Sequence, residues 1–258
     1  MSTDTSVQSA PFSLAGRHAF VTGSSRGIGK AIALGMAAAG AKVSVHGQRH
    51  SAELEDLCLA LDASHQLGKC VVFDLSDEDS FGAEVITQLG QVDILVLNAS
   101  QEVREPLFEI KAQRVRDQFE TNFLSSILLC QKFLPGMLET GWGRIIGLGS
   151  IQERHANPSL APYAALKAAQ THYLQMLALE VASQGVTVNT LAPGAIETDR
   201  NREVLAVPET RRAVTARIPA GRIGDVEDCV GAAVFLASDA AAYVTGAWVP
   251  VDGGFHAI

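Results

Sequence analysis

The chain has 258 residues, 47% of them hydrophobic and 19% charged, with a formal charge of −8. That is enough apolar material for one large α/β domain or two small ones, and the acidic balance argues against a nucleic-acid or anionic-membrane partner. No run approaches the ~18 apolar residues of a membrane span, MSTDTSVQSAPFS lacks the blocks of a signal peptide, and the seven histidines show no metal-ligand spacing. A cytoplasmic protein without a metal is therefore expected. The four cysteines (Cys58, Cys70, Cys130, Cys229) form no C-x-x-C pair and are expected to be reduced, buried thiols.

Residues 1–12 are polar and read as a flexible tail. Arg17–Thr22 is a short apolar strand, followed at once by Gly23-Ser-Ser-Arg-Gly-Ile-Gly29 and a helix-forming run to Ala39. A strand, a glycine loop and a helix in that order let backbone N–H groups and the positive helix end hold a pyrophosphate. The loop residues Gly23, Ser25, Arg26, Gly27, Ile28 and Gly29 are thus candidate cofactor contacts. A glycine-rich turn can also serve packing alone, and the spacing G-x-x-x-G-x-G differs from G-x-G-x-x-G.

Lys42–His46 is the second strand. An acid at the end of such a strand binds the ribose 2′-hydroxyl of NAD, but here stand Gly47, Gln48 and Arg49. Arg26 and Arg49 supply two guanidinium groups for a 2′-phosphate, so NADP(H) is preferred and NAD(H) remains possible.

Residues 51–67 read as a helix and Lys69–Phe73 as a third strand. Asp74 and Leu75 follow it, Asp74 being placed to accept from an adenine amino group. A helix over 78–89, capped by Asp77, leads to the strand Val92–Leu97. A long helix over 111–138 precedes the strand Arg144–Leu148; Val186–Leu191 and Trp248–Val251 are later strands, with a helix over Asp225–Ala237 between them. Alternation of this kind implies a doubly wound, mainly parallel α/β sheet of about seven strands with helices on both faces, in a single domain over 13–258. Residues 195–224, rich in Arg, Thr and Glu, follow a strand's carboxyl end and read as a lid over the ligand site.

The stretch APYAALKAAQTHYLQMLALEVA reads as a helix beginning at or near Tyr163, just after Pro162. Tyr163 and Lys167 then stand one turn apart on one face. An ammonium beside a phenol favours the phenolate, which makes the tyrosine an acid/base at neutral pH. A Tyr and a Lys four apart occur on many amphipathic helices, so the pair alone does not establish a site.

Thr22–Gly29 (TGSSRGIG), Leu97–Ser100 (LNAS), Asn122, Ser150, Tyr163–Lys167 (YAALK), and Ala192–Gly194 (APG) followed by Ala195–Thr198 (AIET) occur together in this order. In order and spacing they resemble the short-chain dehydrogenase/reductase family, over about residue 13 to Gly254. The resemblance implies a Rossmann fold and hydride transfer between a nicotinamide cofactor and a small-molecule carbonyl or alcohol. It implies that Tyr163 is the general acid or base and that Ser150 polarises the substrate oxygen. Lys167 would bind the nicotinamide ribose while lowering the tyrosine pKa, and Asn122 would hold its helix open and position a relay water. Asn98, Pro193, Gly194, Ile196 and Thr198 match cofactor-contacting positions.

Two departures stand out: the family's N-N-A-G is Leu97-Asn-Ala-Ser100, and its N-x-S-S is Gly147-Leu-Gly-Ser150. The SIQERHANPSLAPYAALK stretch looks like gluconate and sugar dehydrogenases of the family. Gln101–Arg104, Ile151–Asn157, Arg200 and Arg202 would suit a polar, carboxylated polyhydroxy substrate. Open alternatives are a 3-oxoacyl-thioester reductase and a dinucleotide-binding sensor without turnover. Members are commonly homotetramers or dimers, and the apolar side chains Leu166, Tyr173, Leu174 and Leu177 fit either a subunit interface or burial within one chain.

Overall fold

The computed structural model describes residues 11–77 and 87–257. Its strands are β1 (His18–Val21), β2 (Lys42–Gly47), β3 (Leu67–Val72), β4 (Ile94–Leu97), β5 (Gly143–Leu148), β6 (Val186–Pro193) and β7 (Trp248–Val251). Its helices are α1 (Gly27–Ala38), α2 (Ala52–Ala63), α3 (Ala112–Phe119), α4 (Ser125–Thr140), α5 (Ala161–Val181), α6 (Arg202–Leu205), α7 (Pro208–Thr215) and α8 (Val230–Ala237). The strands form one sheet in the order β3-β2-β1-β4-β5-β6-β7, all pairs parallel. β4, β5 and β6 are buried along their whole length, as parallel strands covered on both faces must be.

Strand order reverses between β1 and β4, where the crossovers leave toward opposite faces and open a crevice at the carboxyl ends. One core cluster packs α1, α2 and α8 on the sheet through Ile32, Met36, Leu57 and Leu236. The other packs α4 and α5 through Leu129, Phe133, Leu174 and Ala178. Leu174 belongs to this second core, and Tyr173 and Leu177 pack against it, so these apolar residues are used within the chain. No helix among the described residues is long and apolar enough to cross a membrane.

Several boundaries differ from expectation for identifiable reasons. α5 starts at Ala161, because Pro162 in the first turn has no N–H that the helix would need. The long helix is interrupted at Glu120–Leu124 by a π-turn. Residues 64–67 leave α2 and enter β3, with His65 at φ 57 making the turn. The 195–224 segment contains α6 and α7 rather than loop alone. The expected helix over 78–89 and the 1–12 tail lie largely outside the described residues.

The expectation of four reduced thiols is corrected. The short crossover between α2 and β3 brings Cys58 and Cys70 to a Cα–Cα distance of 6.3 Å, and they form a disulfide; Cys130 and Cys229 are free and buried.

Candidate active site

A cleft of about 700 Å³ opens over the carboxyl ends of β1, β4, β5 and β6, at the reversal of strand order. It gathers Gly23, Ser25, Arg26, Gly27, Ile28, Gly29, Asp74, Leu75, Asn98, Pro193, Gly194, Ile196 and Thr198 at one end, with Ser150, Tyr163 and Lys167 beside them. Two expected residues lie outside its walls. Arg49 is exposed on the bend after β2, and Gln48 lines the cleft instead. Asn122 is fully buried behind the wall.

The dinucleotide end is built from backbone. Gly23 (φ +60) and Gly27 (φ +59) take the left-handed conformation that glycine adopts at least cost. A Cβ at Gly29 would meet Gly23 O at 2.7 Å and drive into the Asn98 amide. At Gly27 it would project across the cleft toward Thr198 at 3.7 Å. No side chain caps α1 and no acid stands in its first turn, so the N–H groups and dipole are left for an anion. A dinucleotide pyrophosphate fits this cradle. Asn98 serves the loop itself: its Nδ2 donates to Thr22 O and Gly23 O, both at 2.9 Å. Asp74 accepts from Gln48 Nε2 (2.8 Å) and from Ser76, which joins Gln48 and Asp74 at this end of the cleft.

His46 is a residue that sequence reasoning missed. Its Nδ1 accepts the Gly23 N–H at 3.0 Å, which leaves the proton on Nε2 to donate to Phe73 O at 2.9 Å. The only signal for it was a polar residue within an apolar strand. Burial holds the imidazole down to about 4, so it is neutral in the folded protein while an unfolded histidine titrates near 6.5. Above pH 6.5 neither state is protonated; below it the unfolded chain takes up the proton first. Stability is therefore expected to fall by roughly 3 kcal/mol as pH drops from about 6.5 to about 4. Urea unfolding across that range reads this loss, and a smaller slope in His46→Gln confirms its source; equal slopes would refute it.

At the other end, α5 presents Tyr163, Lys167, Gln170, Leu174, Ala178 and Val181 every three or four residues on one buried face. Core packing of the last three orients Tyr163 and Lys167 toward the cleft, while Gln170 Nε2 donates to Ser126 Oγ at 2.7 Å. Lys167 Nζ donates to Leu148 O and, at 3.2 Å, to Gln170 Oε1, which fixes the ammonium under β5. Ser150 follows β5 by two residues and lines the cleft with Tyr163. Burial pushes Tyr163 up to about 12, with Arg200 and Ser150 pulling down and Glu102 and Glu153 pushing up. Burial lowers Lys167 to about 8, with Glu153 opposing. The expected depression of the tyrosine by Lys167 is thus corrected: desolvation dominates, Lys167 is not among the groups that shift it, and the phenol keeps its proton at neutral pH. That is the protonation state a general acid requires.

The π-turn carries Asn122, and its side chain is committed: Oδ1 accepts from Gln101 N at 2.7 Å and Nδ2 donates to Gln101 O at 2.8 Å. It therefore ties the helix to the segment after β4. The departure at Ser100 is absorbed there too. Arg200, on the segment after β6, donates to Ser100 O at 2.8 Å and lies 3.8 Å from Glu102, which also pairs with Arg104 at 2.8 Å. These three charges rim the cleft next to Tyr163.

A family model described as enoyl-(acyl carrier protein) reductase matches residues 23–256. The chain is 42% identical over 248 residues to the 3-oxoacyl-[acyl-carrier-protein] reductase of Pseudomonas aeruginosa, covering 95% of this chain and 99% of that protein. It is 37% identical over 246 residues to the gluconate 5-dehydrogenase of Gluconobacter oxydans, covering 94% and 96%. Among solved structures, a gluconate 5-dehydrogenase from Burkholderia cenocepacia in complex with NADP and tartrate superposes with a TM-score of 0.90 at 33% identity, covering 96% of this chain and 98% of that one. The chain belongs to the short-chain dehydrogenase/reductase family and is an NAD(P)-dependent oxidoreductase acting on CH–OH groups.

Proposed function

We propose that the protein interconverts the carbonyl and alcohol forms of a sugar acid or a similar small polyhydroxy carboxylate, with NADP(H) preferred. The observation that carries this reading is the charged rim at the tyrosine: Arg200, Arg104 and Glu102 stand where a substrate would extend, with Gln101, Gln152 and Asn157 beside them. A carboxylate pairs with guanidinium and hydroxyls pair with amides and carboxylate, whereas an apolar ring would leave these groups unpaired. Tartrate, a dihydroxy dicarboxylate, is bound in the Burkholderia cenocepacia structure, in keeping with this chemistry.

The nicotinamide cofactor, when bound, supplies or accepts the hydride. Gly23, Gly27, Gly29 and the α1 N-terminus would hold its pyrophosphate, Asp74 and Gln48 its adenosine, and Thr198 and Ile196 its nicotinamide side. Arg26 lines the cleft beside β2, whose end carries no acid, and this supports NADP(H). Tyr163 gives its proton to the carbonyl oxygen in reduction and takes it back in oxidation. Ser150 donates a hydrogen bond to that oxygen as charge grows on it. The Lys167 ammonium stabilises the phenolate that forms.

A second reading has an observation of its own. Val204, Leu205, Val214, Leu160 and Phe255 make one wall of the cleft apolar, which would suit the acyl chain of a 3-oxoacyl thioester. Steady-state assays with 5-ketogluconate, other keto-acids, polyols and acetoacetyl thioesters separate the two. The sugar-acid reading expects kcat/KM for a keto-sugar acid at least tenfold above the thioester; the reverse order would reject it. Arg26→Ala should raise KM for NADPH about tenfold and leave that for NADH nearly unchanged. Equal or better use of NADH by the wild type would reject the cofactor preference.

Exposed Phe108, Leu179 and Tyr243 support assembly into a homo-oligomer. Sedimentation reads its size.

A further inference from the structure

The acid three residues beyond Ser150 takes no part in the proton transfer described above, yet it touches the surroundings of the groups that do. Glu153 Oε1 accepts the Ser150 backbone N–H at 2.7 Å, and Oε2 accepts the Trp248 indole N–H from β7 at 3.0 Å. Trp248 is held in turn, with the Arg154 guanidinium 3.8 Å above its ring and His256 edge-on at 5.8 Å. Both carboxylate oxygens accept from N–H donors, a pattern an amide cannot reproduce because one end of it only donates.

A side chain at Gly149 would run into Glu153 Oε1. Glycine at 149, one of the two places where the N-x-S-S pattern is lost, is therefore the complement of this glutamate. Electrostatics point the same way. Glu153 is the main group favouring the Lys167 ammonium against its burial, and Arg200 opposes it. Burial pushes Glu153 itself up, while the Ser150 N–H, the Lys167 charge and the Trp248 N–H pull it down. Tyr163, Arg200 and Glu102 are the other titratable groups acting on this corner.

We propose that Glu153 is a positioning residue of the active site, holding the Ser150 backbone with one oxygen and the Trp248 indole with the other. The inference rests on the oxidoreductase activity and not on the choice of substrate, so 5-ketogluconate or acetoacetyl thioester serves, whichever the wild type reduces.

Two variants test it. In Glu153→Gln the amide must turn its donor end toward one of the two N–H groups, loosening the Ser150–Trp248 tie, and the negative charge acting on Lys167 is gone. Reduction kcat falls tenfold or more, on the scale of supporting-residue substitutions at active sites. The Lys167 titration moves to lower pH, read by NMR on protein labelled with 13C at lysine Cε and free of cofactor. Burial lowers Lys167 to about 8, so the wild-type midpoint is expected there. A merely structural role would lower the melting temperature and leave that midpoint in place. Trp248→Phe keeps the carboxylate charge but frees Oε2: its Lys167 midpoint stays within a few tenths of a unit while kcat falls two- to fivefold. An unmoved midpoint in Glu153→Gln overturns the proposal. Should that variant fail to fold, wild-type kcat in Trp248→Phe overturns it.

Discussion

Tyr163→Phe lowers kcat for carbonyl reduction about a thousandfold while changing NADPH affinity less than threefold. A positioned general acid contributes ~10²- to 10⁴-fold, and Tyr163 lines the cleft with Ser150 and Lys167. Burial holds the phenol near 12, so the wild-type proton is present throughout the neutral range. Lys167, near 8, loses its charge first as pH rises. Wild-type reduction is therefore expected to decline above about pH 8, from the lysine and not from the tyrosine. NADPH absorbance measures turnover and fluorescence titration measures cofactor binding. Retention of more than a tenth of wild-type kcat in the phenylalanine variant would overturn the assignment of Tyr163.

Gly23→Ala destabilises the protein by about 3 kcal/mol and weakens NADPH binding more than tenfold. The left-handed φ of +60 costs an alanine about 1 kcal/mol, and its Cβ would stand 2.8 Å from Ala99 Cα, a backbone atom at the end of β4 that cannot swing aside. Relief would pull on the Gly23 bonds to His46 and Asn98, the same bonds that shape the pyrophosphate cradle. Gly16→Ala is the control: φ is +79 there, but nothing lies within 4 Å of the added carbon, so only the conformational cost of about 1 kcal/mol should appear. Equal losses in the two variants by denaturant unfolding would show that the contact with Ala99 is unimportant.

The site was legible in sequence where a local pattern determines placement. Tyr163 and Lys167 share a helix face because four residues make a turn, and the glycine loop lies between a strand and a helix because both flanks have clear periodicity. Glu153 carried a readable signal too, since Ser150-Ile-Gln-Glu153 spells the S-x-x-E capping box, and the structure forms it. The partners of His46, Gln48 and Arg200 were not readable. Each acts on groups 20 to 100 residues away in the chain, through contacts that exist only once β2, β3 and β4 are aligned. Arg49 stands outside the cleft walls because the chain bends after Gly47, where strand alternation no longer governs direction. The Cys58–Cys70 bond escaped notice because sequence spacing does not reveal that a helix returns onto its next strand.

Local patterns suffice for the alternation of strands and helices, the doubly wound class, and most of the residues that converge on one cleft, since short-range periodicity and backbone requirements act between near neighbours. The electrostatics come from the folded arrangement: burial raises Tyr163 and lowers Lys167, Glu153 supports the ammonium, and Arg200 closes on Ser100. Desolvation and charge pairing depend on what surrounds a group in three dimensions, and residues distant in sequence supply those surroundings.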